Sequence, residues 1–258
     1  MNTIICMKQV PDTETRFQVS SGKIVEEGIQ YVVNPYDEYA IEECLLKKEA
    51  AGEGQVTVIC MGPDRAREAI LQALALGCDE AIHLNDPAFE GADAFTTAQV
   101  LAAAINKVGE YDFIFTGKQG VDNDNAQVGI LLAEMLDLPH VSVITKLDIA
   151  GGKATAQREV EGGKQVVETS LPAVFSAQKG LNEPRYPSFR GIRQAKRKPY
   201  TTWTANDLGI DPAVLESKSE LVSVALPPER GGGRIIEGEP AEAAKELVRL
   251  LREEAKVI

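Results

Sequence analysis

The chain has 258 residues, 44% of them hydrophobic and 26% charged, with 39 acidic against 27 basic side chains and a net charge of −12. That is the mix of an ordinary globular protein, and its surplus of carboxylates argues against a broad nucleic-acid surface, which needs excess Lys and Arg. The four cysteines, Cys6, Cys44, Cys60 and Cys78, form no C-x-x-C pair and only two histidines accompany them, which disfavours a structural zinc site and a disulfide framework.

The first residues, NTIICMKQV, carry no charged leader, and no apolar run approaches the roughly 20 residues that span a bilayer, so a reducing cytoplasm is expected. TIICM (3–7) is short, β-branched and apolar, the pattern of a buried strand, with Cys6 inside it. KQVPDT leaves it through a Pro-Asp turn, and two short segments flanking SSGK read as a hairpin. Asn34-Pro35 opens YDEYAIEECLLKKEAA, whose acids come early and lysines late, as the helix dipole favours. QVTVIC (55–60) is a second buried strand, ended by Met61-Gly62-Pro63-Asp64 and followed by the amphipathic AREAILQALALG. EAIHL (80–84), an Ala-rich helix over 93–108, a strand over 113–116, a helix over 126–136 and a strand over 141–147 continue the alternation.

About five strand–helix alternations in ~150 residues predict an α/β fold: a doubly wound, mostly parallel sheet with helices on both faces. Right-handed crossovers then bring every strand-to-helix loop to one sheet edge, where ligands bind at the point of strand-order reversal. Past Gly151 the texture changes. ATAQREV and GKQVVETS read as an antiparallel hairpin around Glu161-Gly162-Gly163, and LPAVFSA as a further strand. Residues 178–202 are basic, with three prolines and seven Lys or Arg, and a short helix is expected near 188–197. The tail carries a PPERGGG loop and a final helix from Pro240. The expected division is a nucleotide-binding core over 1–176 and a docking loop with an extended C-terminal arm over 177–258.

Three strand-end loops could converge on a ligand: Cys6-Met7 with Lys8, residues 34–37, and residues 117–129 (GKQGVDNDNAQVG), with Met61-Gly62 as a fourth. The chain has neither G-x-x-x-x-G-K-[ST] nor G-x-G-x-x-G, which disfavours a Walker ATPase and a Rossmann dinucleotide site. A helix starting near Asn125 would still aim free backbone N–H groups into the loop, where a phosphate could sit. Asn123 and Asn125 are donors and N-cap candidates, so nucleotide binding and plain capping both stand. Asp122 and Asp124 have the wrong sign for phosphate and suit a ribose, an adenine or the loop's own backbone. The basic stretch with Leu181, Tyr186 and Phe189 reads either as a solvated face or as a docking loop. His83 and His140 have no nucleophile nearby and read as structural; Trp203 reads as a packing anchor.

Together CMKQVPDT, NPYDEYAIEE, VTVICMGP, ALALGCDEAIHL, GKQGVDNDNAQVG and the run from REVEGG through LNEPRY to KRK resemble the β subunit of electron transfer flavoproteins over nearly the whole chain, more weakly over the last ~50 residues. The resemblance implies a heterodimer with an α subunit that holds most of an FAD, a nucleotide in the β core, and a loop that docks acyl-CoA dehydrogenase-type flavoproteins. Electrons would pass onward to a quinone oxidoreductase or similar acceptor, and the β subunit alone would not turn over a substrate. By position, the nucleotide site would comprise Cys6, Asn34, Pro35, Tyr36, Asp37, Met61, Gly117, Lys118, Gln119, Gly120, Val121, Asp122, Asn123, Asp124, Asn125, Ala126, Gln127 and Val128. The docking residues would be Leu181, Asn182, Glu183, Pro184, Arg185, Tyr186, Phe189, Arg190, Ile192 and Arg193, with Phe189 where the family commonly has an anchoring Leu. Arg158 and Glu159 would face the flavin domain.

One branch of the family binds AMP; another binds a second FAD, oxidises NADH and bifurcates electrons. The bifurcating loop resembles D-G-D-T-A-Q-V-G-P, whereas here Asn123, Asn125 and Ile130 stand for Gly, Thr and Pro. A side chain at 123 narrows the room for a diphosphate, so AMP is the favoured ligand and a second FAD the alternative. KQVPDT looks like the bifurcating branch, NPYDEYAIEE like the AMP branch. A stand-alone adenine-nucleotide-binding regulatory protein on the same core is a third reading, disfavoured by the long arm after Gly151.

Overall fold

A computed structural model describes residues 1–228 and 232–258. The loop expected over 227–233 includes 229–231, which lie outside the described residues. The strands, in chain order, are β1 (Thr3–Met7), β2 (Gln9–Pro11), β3 (Val19–Ser20), β4 (Lys23–Ile24), β5 (Tyr31–Val33), β6 (Val56–Met61), β7 (Glu80–Leu84), β8 (Phe113–Gly117), β9 (His140–Ala150), β10 (Lys153–Val160), β11 (Gly163–Ser170), β12 (Ala173–Ala177) and β13 (Tyr200–Trp203). The helices are α1 (Pro35–Ala51), α2 (Ala66–Leu76), α3 (Ala94–Val108), α4 (Val128–Met135), α5 (Phe189–Ala195) and α6 (Pro240–Glu253).

Among the described residues nine strands form one sheet in the order β11-β10-β9-β12-β8-β1-β6-β7-β13. Pairings from β9 through β13 along that order are parallel, and β9-β10-β11 form an antiparallel extension. The α/β doubly wound expectation therefore holds. Strand periodicity explains the two faces. In β1, Ile5 and Met7 join one core, and Ile4 and Cys6 the other; in β8, Phe113 and Phe115 oppose Ile114 in the same way. Helices α1 and α2 pack on the first face, α3 and α4 on the second. Phe113, Phe115 and Phe175 fill the middle of the first core with ring centroids 5.7–6.0 Å apart.

The chain runs outward from β1 to β6 and β7, then returns to place β8 on the other side of β1. The order thus reverses between β1 and β8, and a crevice opens beyond their carboxyl ends. Two features depart from the sequence reading. The basic, proline-rich stretch ends in a strand: β13 adds parallel to β7, pairing Tyr200 with Ala81 and Trp203 with Leu84. The compact unit containing the sheet accordingly does not stop at residue 176; it comprises Met1–Phe17 and Val25–Val222. A second unit comprises Gln18–Ile24 and Ser223–Ile258. Within it α6 buries no residue and carries the ion pairs of Arg249 with Glu246 and Glu253. Among the described residues no helix is long and apolar enough to cross a membrane.

Candidate functional site

The crevice between β1 and β8 leads into a cavity of about 390 Å³. Its floor is built by Asp37, in the first turn of α1 and only 4% exposed. One carboxylate oxygen accepts the backbone N–H of Lys8 at 2.7 Å and the other that of Gly117 at 2.8 Å. Lys8 follows β1 and Gly117 ends β8, so one side chain ties both strand exits to the helix between them. Burial pushes the Asp37 carboxyl up to about 7, against the pull of these two N–H donors and the Asn34 side chain.

Asn34 precedes α1 but does not cap it. Its amide donates to Gln119 O at 2.8 Å and its oxygen accepts Val121 N–H at 3.1 Å, so it holds the 117–129 loop instead. The two loop aspartates also act internally. Asp122 pairs with Lys8 Nζ at 2.6 Å, and Asp124 accepts from Gln119 Nε2. The helix expected near Asn125 begins at Val128. Asp124 and Ala126 both sit at φ 52°, a left-handed backbone that cannot continue into α4. Asn125 is therefore not the cap. Gln127 holds that position and no side chain caps the helix, which leaves its first N–H groups without an intrahelical partner. Beside them the Thr116 hydroxyl is buried with no hydrogen-bond partner.

Of the residues expected to bind a nucleotide, the cavity brings together Cys6, Asn34, Asp37, Met61, residues 117–120, Asn123 and residues 125–128. Pro35, Tyr36, Val121, Asp122 and Asp124 do not line it. Tyr36 instead lies under the Lys118 ammonium, 4.9 Å from its ring centroid. Sequence reasoning missed Thr116, the start of α3 (residues 91–94 with Thr97 and Leu101), and Ser219 and Leu221, while Gly129 lines the cavity as the last residue of the expected 117–129 loop. The β7-to-α3 junction was findable: in a parallel sheet every strand-to-helix loop reaches the same edge. There Asp93 caps α3 by accepting Thr96 N–H at 2.9 Å and also accepts Lys218 N–H at 2.6 Å.

The remaining polar groups near the site are accounted for. All four cysteines are free and buried. Burial raises the Cys6 thiol far above its ordinary range, so it lines the cavity as a neutral wall and not as a nucleophile. His83 lies 2.8 Å from Gly62 O through Nε2 and 2.8 Å from Tyr200 Oη through Nδ1, and burial lowers its pKa, as fits a neutral core histidine. A second cavity, of about 230 Å³, shares Lys8 and Met61 with the first and is bounded by Asp122, Tyr31 and Arg65.

The expected docking residues divide into two groups. Asn182 donates to Tyr39 O and to Glu43, both at 3.0 Å, and Arg185 is clamped between Glu42 and Glu49 of α1. Leu181 packs against the first core. Tyr186 and Phe189 are 94% and 91% exposed, with Arg190, Ile192 and Arg193 exposed beside them. Glu183 is exposed and Pro184 half-buried.

The family described as the electron transfer flavoprotein domain matches residues 21–208. Over 259 residues, the chain is 44% identical to the electron transfer flavoprotein subunit beta of Bacillus subtilis, covering all of both chains. It is 42% identical to that of Syntrophomonas wolfei, over 100% of this chain and 98% of the relative. It is also 38% identical to the subunit CarD of the caffeyl-CoA reductase-Etf complex of Acetobacterium woodii, over 98% of each.

Proposed function

The chain belongs to the electron transfer flavoprotein family, as a β subunit, and on that premise we propose that it binds AMP in the β1–β8 crevice and works as half of an electron-carrying heterodimer. Its α subunit holds the FAD, which this chain helps to enclose. The 186–193 surface receives an acyl-CoA dehydrogenase-type flavoprotein, and electrons leave to a quinone oxidoreductase or similar acceptor. The chain is a carrier subunit and not a stand-alone enzyme.

The observation that carries the AMP reading is the size and polarity of the crevice. At about 390 Å³ it lies at the small end of ligand pockets, which run from about 300 to 1,000 Å³, and suits a mononucleotide better than a dinucleotide. The residues fit a phosphate at one end: an uncapped helix start, the unpartnered Thr116 hydroxyl, and the amides of Asn123 and Asn125. Lys118 supplies positive charge at the rim, beside Lys8, whose ammonium is paired with Asp122. A second reading, a bifurcating subunit with its own FAD and an NADH site, is favoured by the KQVPDT stretch and by the adjoining cavity of about 230 Å³ bounded by Lys8 and Met61.

The test is to denature the purified heterodimer and quantify the nucleotides released. One FAD and one AMP per heterodimer is the expected result; two FAD, with rapid flavin reduction by NADH, would establish the second reading instead. Asn125→Ala should lower AMP retention by about tenfold, the worth of one hydrogen bond to a charged group. Equilibrium dialysis with AMP on the nucleotide-stripped complex measures it.

A further inference from the structure

We propose that Arg185 is a positioning residue for partner docking, which fixes one foot of a short arch whose exposed aromatic side chains enter an apolar cleft with an acidic rim on the partner flavoprotein. The proposal rests on the docking role assigned above to residues 186–193.

The arch has two feet. At the first, Arg185 Nε and Nη2 donate to the two oxygens of Glu42 at 2.8 and 2.9 Å, and its backbone N–H donates to Glu42 Oε2 at 3.1 Å. Nη1 and Nη2 donate to Glu49 at 2.5 and 3.1 Å. Glu42 and Glu49 are seven residues apart, two turns of α1, and so present their carboxylates on one face. The Glu42 side chain is 7% exposed and Glu49 is 55% exposed, so the guanidinium bridges an inner and an outer carboxylate. Two fork-to-carboxylate pairs fix both the position and the plane of the guanidinium, which a point charge cannot do.

At the second foot, α5 rests on α2. Gly191 approaches the Ala75 carbonyl so closely that a Cβ would lie 2.2 Å from its oxygen, and Ala195 is buried. Ser188 caps α5 by accepting Gly191 N–H at 3.0 Å. Between Arg185 and the buried end of α5 the chain carries Tyr186 and Phe189, 94% and 91% exposed. Two large side chains this exposed, held on a fixed backbone, are poised to bury apolar area without first being ordered. The rim is cationic. Arg190, Arg193, Lys196 and Arg197 are exposed, and among the described residues none forms an ion pair. On a chain of net charge −12, this local surplus selects a partner face lined with carboxylates.

The test uses the intact heterodimer, with an acyl-CoA dehydrogenase reduced by its acyl-CoA thioester as electron donor. Phe189→Ala should raise the KM for the dehydrogenase about tenfold or more by removing an anchor. Arg185→Ala should raise KM by about tenfold with kcat and nucleotide content unchanged, because the arch must then be ordered during docking. Arg185→Lys keeps the charge but not the fork and should resemble Arg185→Ala. Glu49→Gln removes only the solvent-facing bonds, avoids stranding a buried charge, and should shift KM in the same direction by a smaller factor. Amide hydrogen exchange over 186–192 should quicken in all three variants. Wild-type KM and exchange in Arg185→Ala, alongside a raised KM in Phe189→Ala, would overturn the positioning role alone. Full rescue by Arg185→Lys would do the same. An unchanged KM in Phe189→Ala would remove the docking role itself, and this proposal with it.

Discussion

Gly117→Ala should strip the nucleotide from the crevice and lower the stability of the heterodimer by about 2–3 kcal/mol, the scale of overpacking in a close-packed interior. The reason is a close approach. A Cβ on Gly117 would lie 2.2 Å from Asp37 Oδ1, 2.7 Å from Tyr36 Cβ and 2.9 Å from the Tyr36 carbonyl carbon. The last of these is backbone at the start of α1 and cannot rotate away. Either the helix start or the end of β8 must move, and both line the cavity through Asp37 and Gly117. The Asp37–Gly117 hydrogen bond would be lost with the movement, leaving a buried acceptor short of a donor. Retention of AMP should fall by about tenfold or more, since about 1.4 kcal/mol corresponds to each factor of ten. Dialysis against AMP and a denaturant titration of the same preparation read the two effects separately. Wild-type retention in a destabilised variant would mean that β8 yields without disturbing the crevice.

The contrast between Gly117 and Asn125 shows what a sequence can carry. The polar loop after an apolar run was legible because its composition breaks the strand pattern abruptly, and the helices α1, α2 and α3 were legible from their periodicity. What was not legible was anything that depends on a distant pairing. Asp37 lies 29 residues from Lys8 and 80 from Gly117, and nothing in NPYDEYAIEE says that its carboxylate meets both. Helix α4 starts two residues later than the expected 126, because Asp124 and Ala126 are ordinary residues held in left-handed backbone by the loop around them. Strand β13 is hidden in the sequence for a similar reason. YTTW follows a proline-broken basic stretch, and only its pairing with β7 makes it a strand. The docking stretch hides its division in the same way. Arg185 and Tyr186 are neighbours in sequence, yet one turns inward to α1 and the other is almost wholly exposed.

Asp37 should also leave a distinct signature in the dependence of stability on pH. Burial holds its carboxyl at about 7 in the folded protein, against 3.8 for an ordinary aspartate. The folded state therefore binds one more proton than the unfolded state between about pH 4 and pH 7. Stability from this group is fully present below pH 4 and is lost as the pH rises through 7. Three pH units at about 1.36 kcal/mol each make the full effect about 4 kcal/mol. Other carboxylates titrate over the same range with the opposite sign, so the raw curve of the wild type does not isolate the effect; the difference from Asp37→Asn does. The asparagine has no proton to gain, and at high pH it avoids the cost of a buried charge. At low pH the wild type keeps a neutral acid in the same place. Unfolding free energies of the wild-type and Asp37→Asn heterodimers, measured at pH 5 and pH 7.5, should thus shift by about 3 kcal/mol in favour of the variant as the pH rises. Both oxygens of Asp37 accept backbone N–H groups, from Lys8 and Gly117, and an asparagine offers only one oxygen. The variant should therefore start out less stable at pH 5 by about 1–3 kcal/mol, the cost of one unsatisfied buried donor. A difference between the two proteins that does not change with pH would mean that Asp37 stays ionised throughout, held by its two N–H donors against the cost of burial.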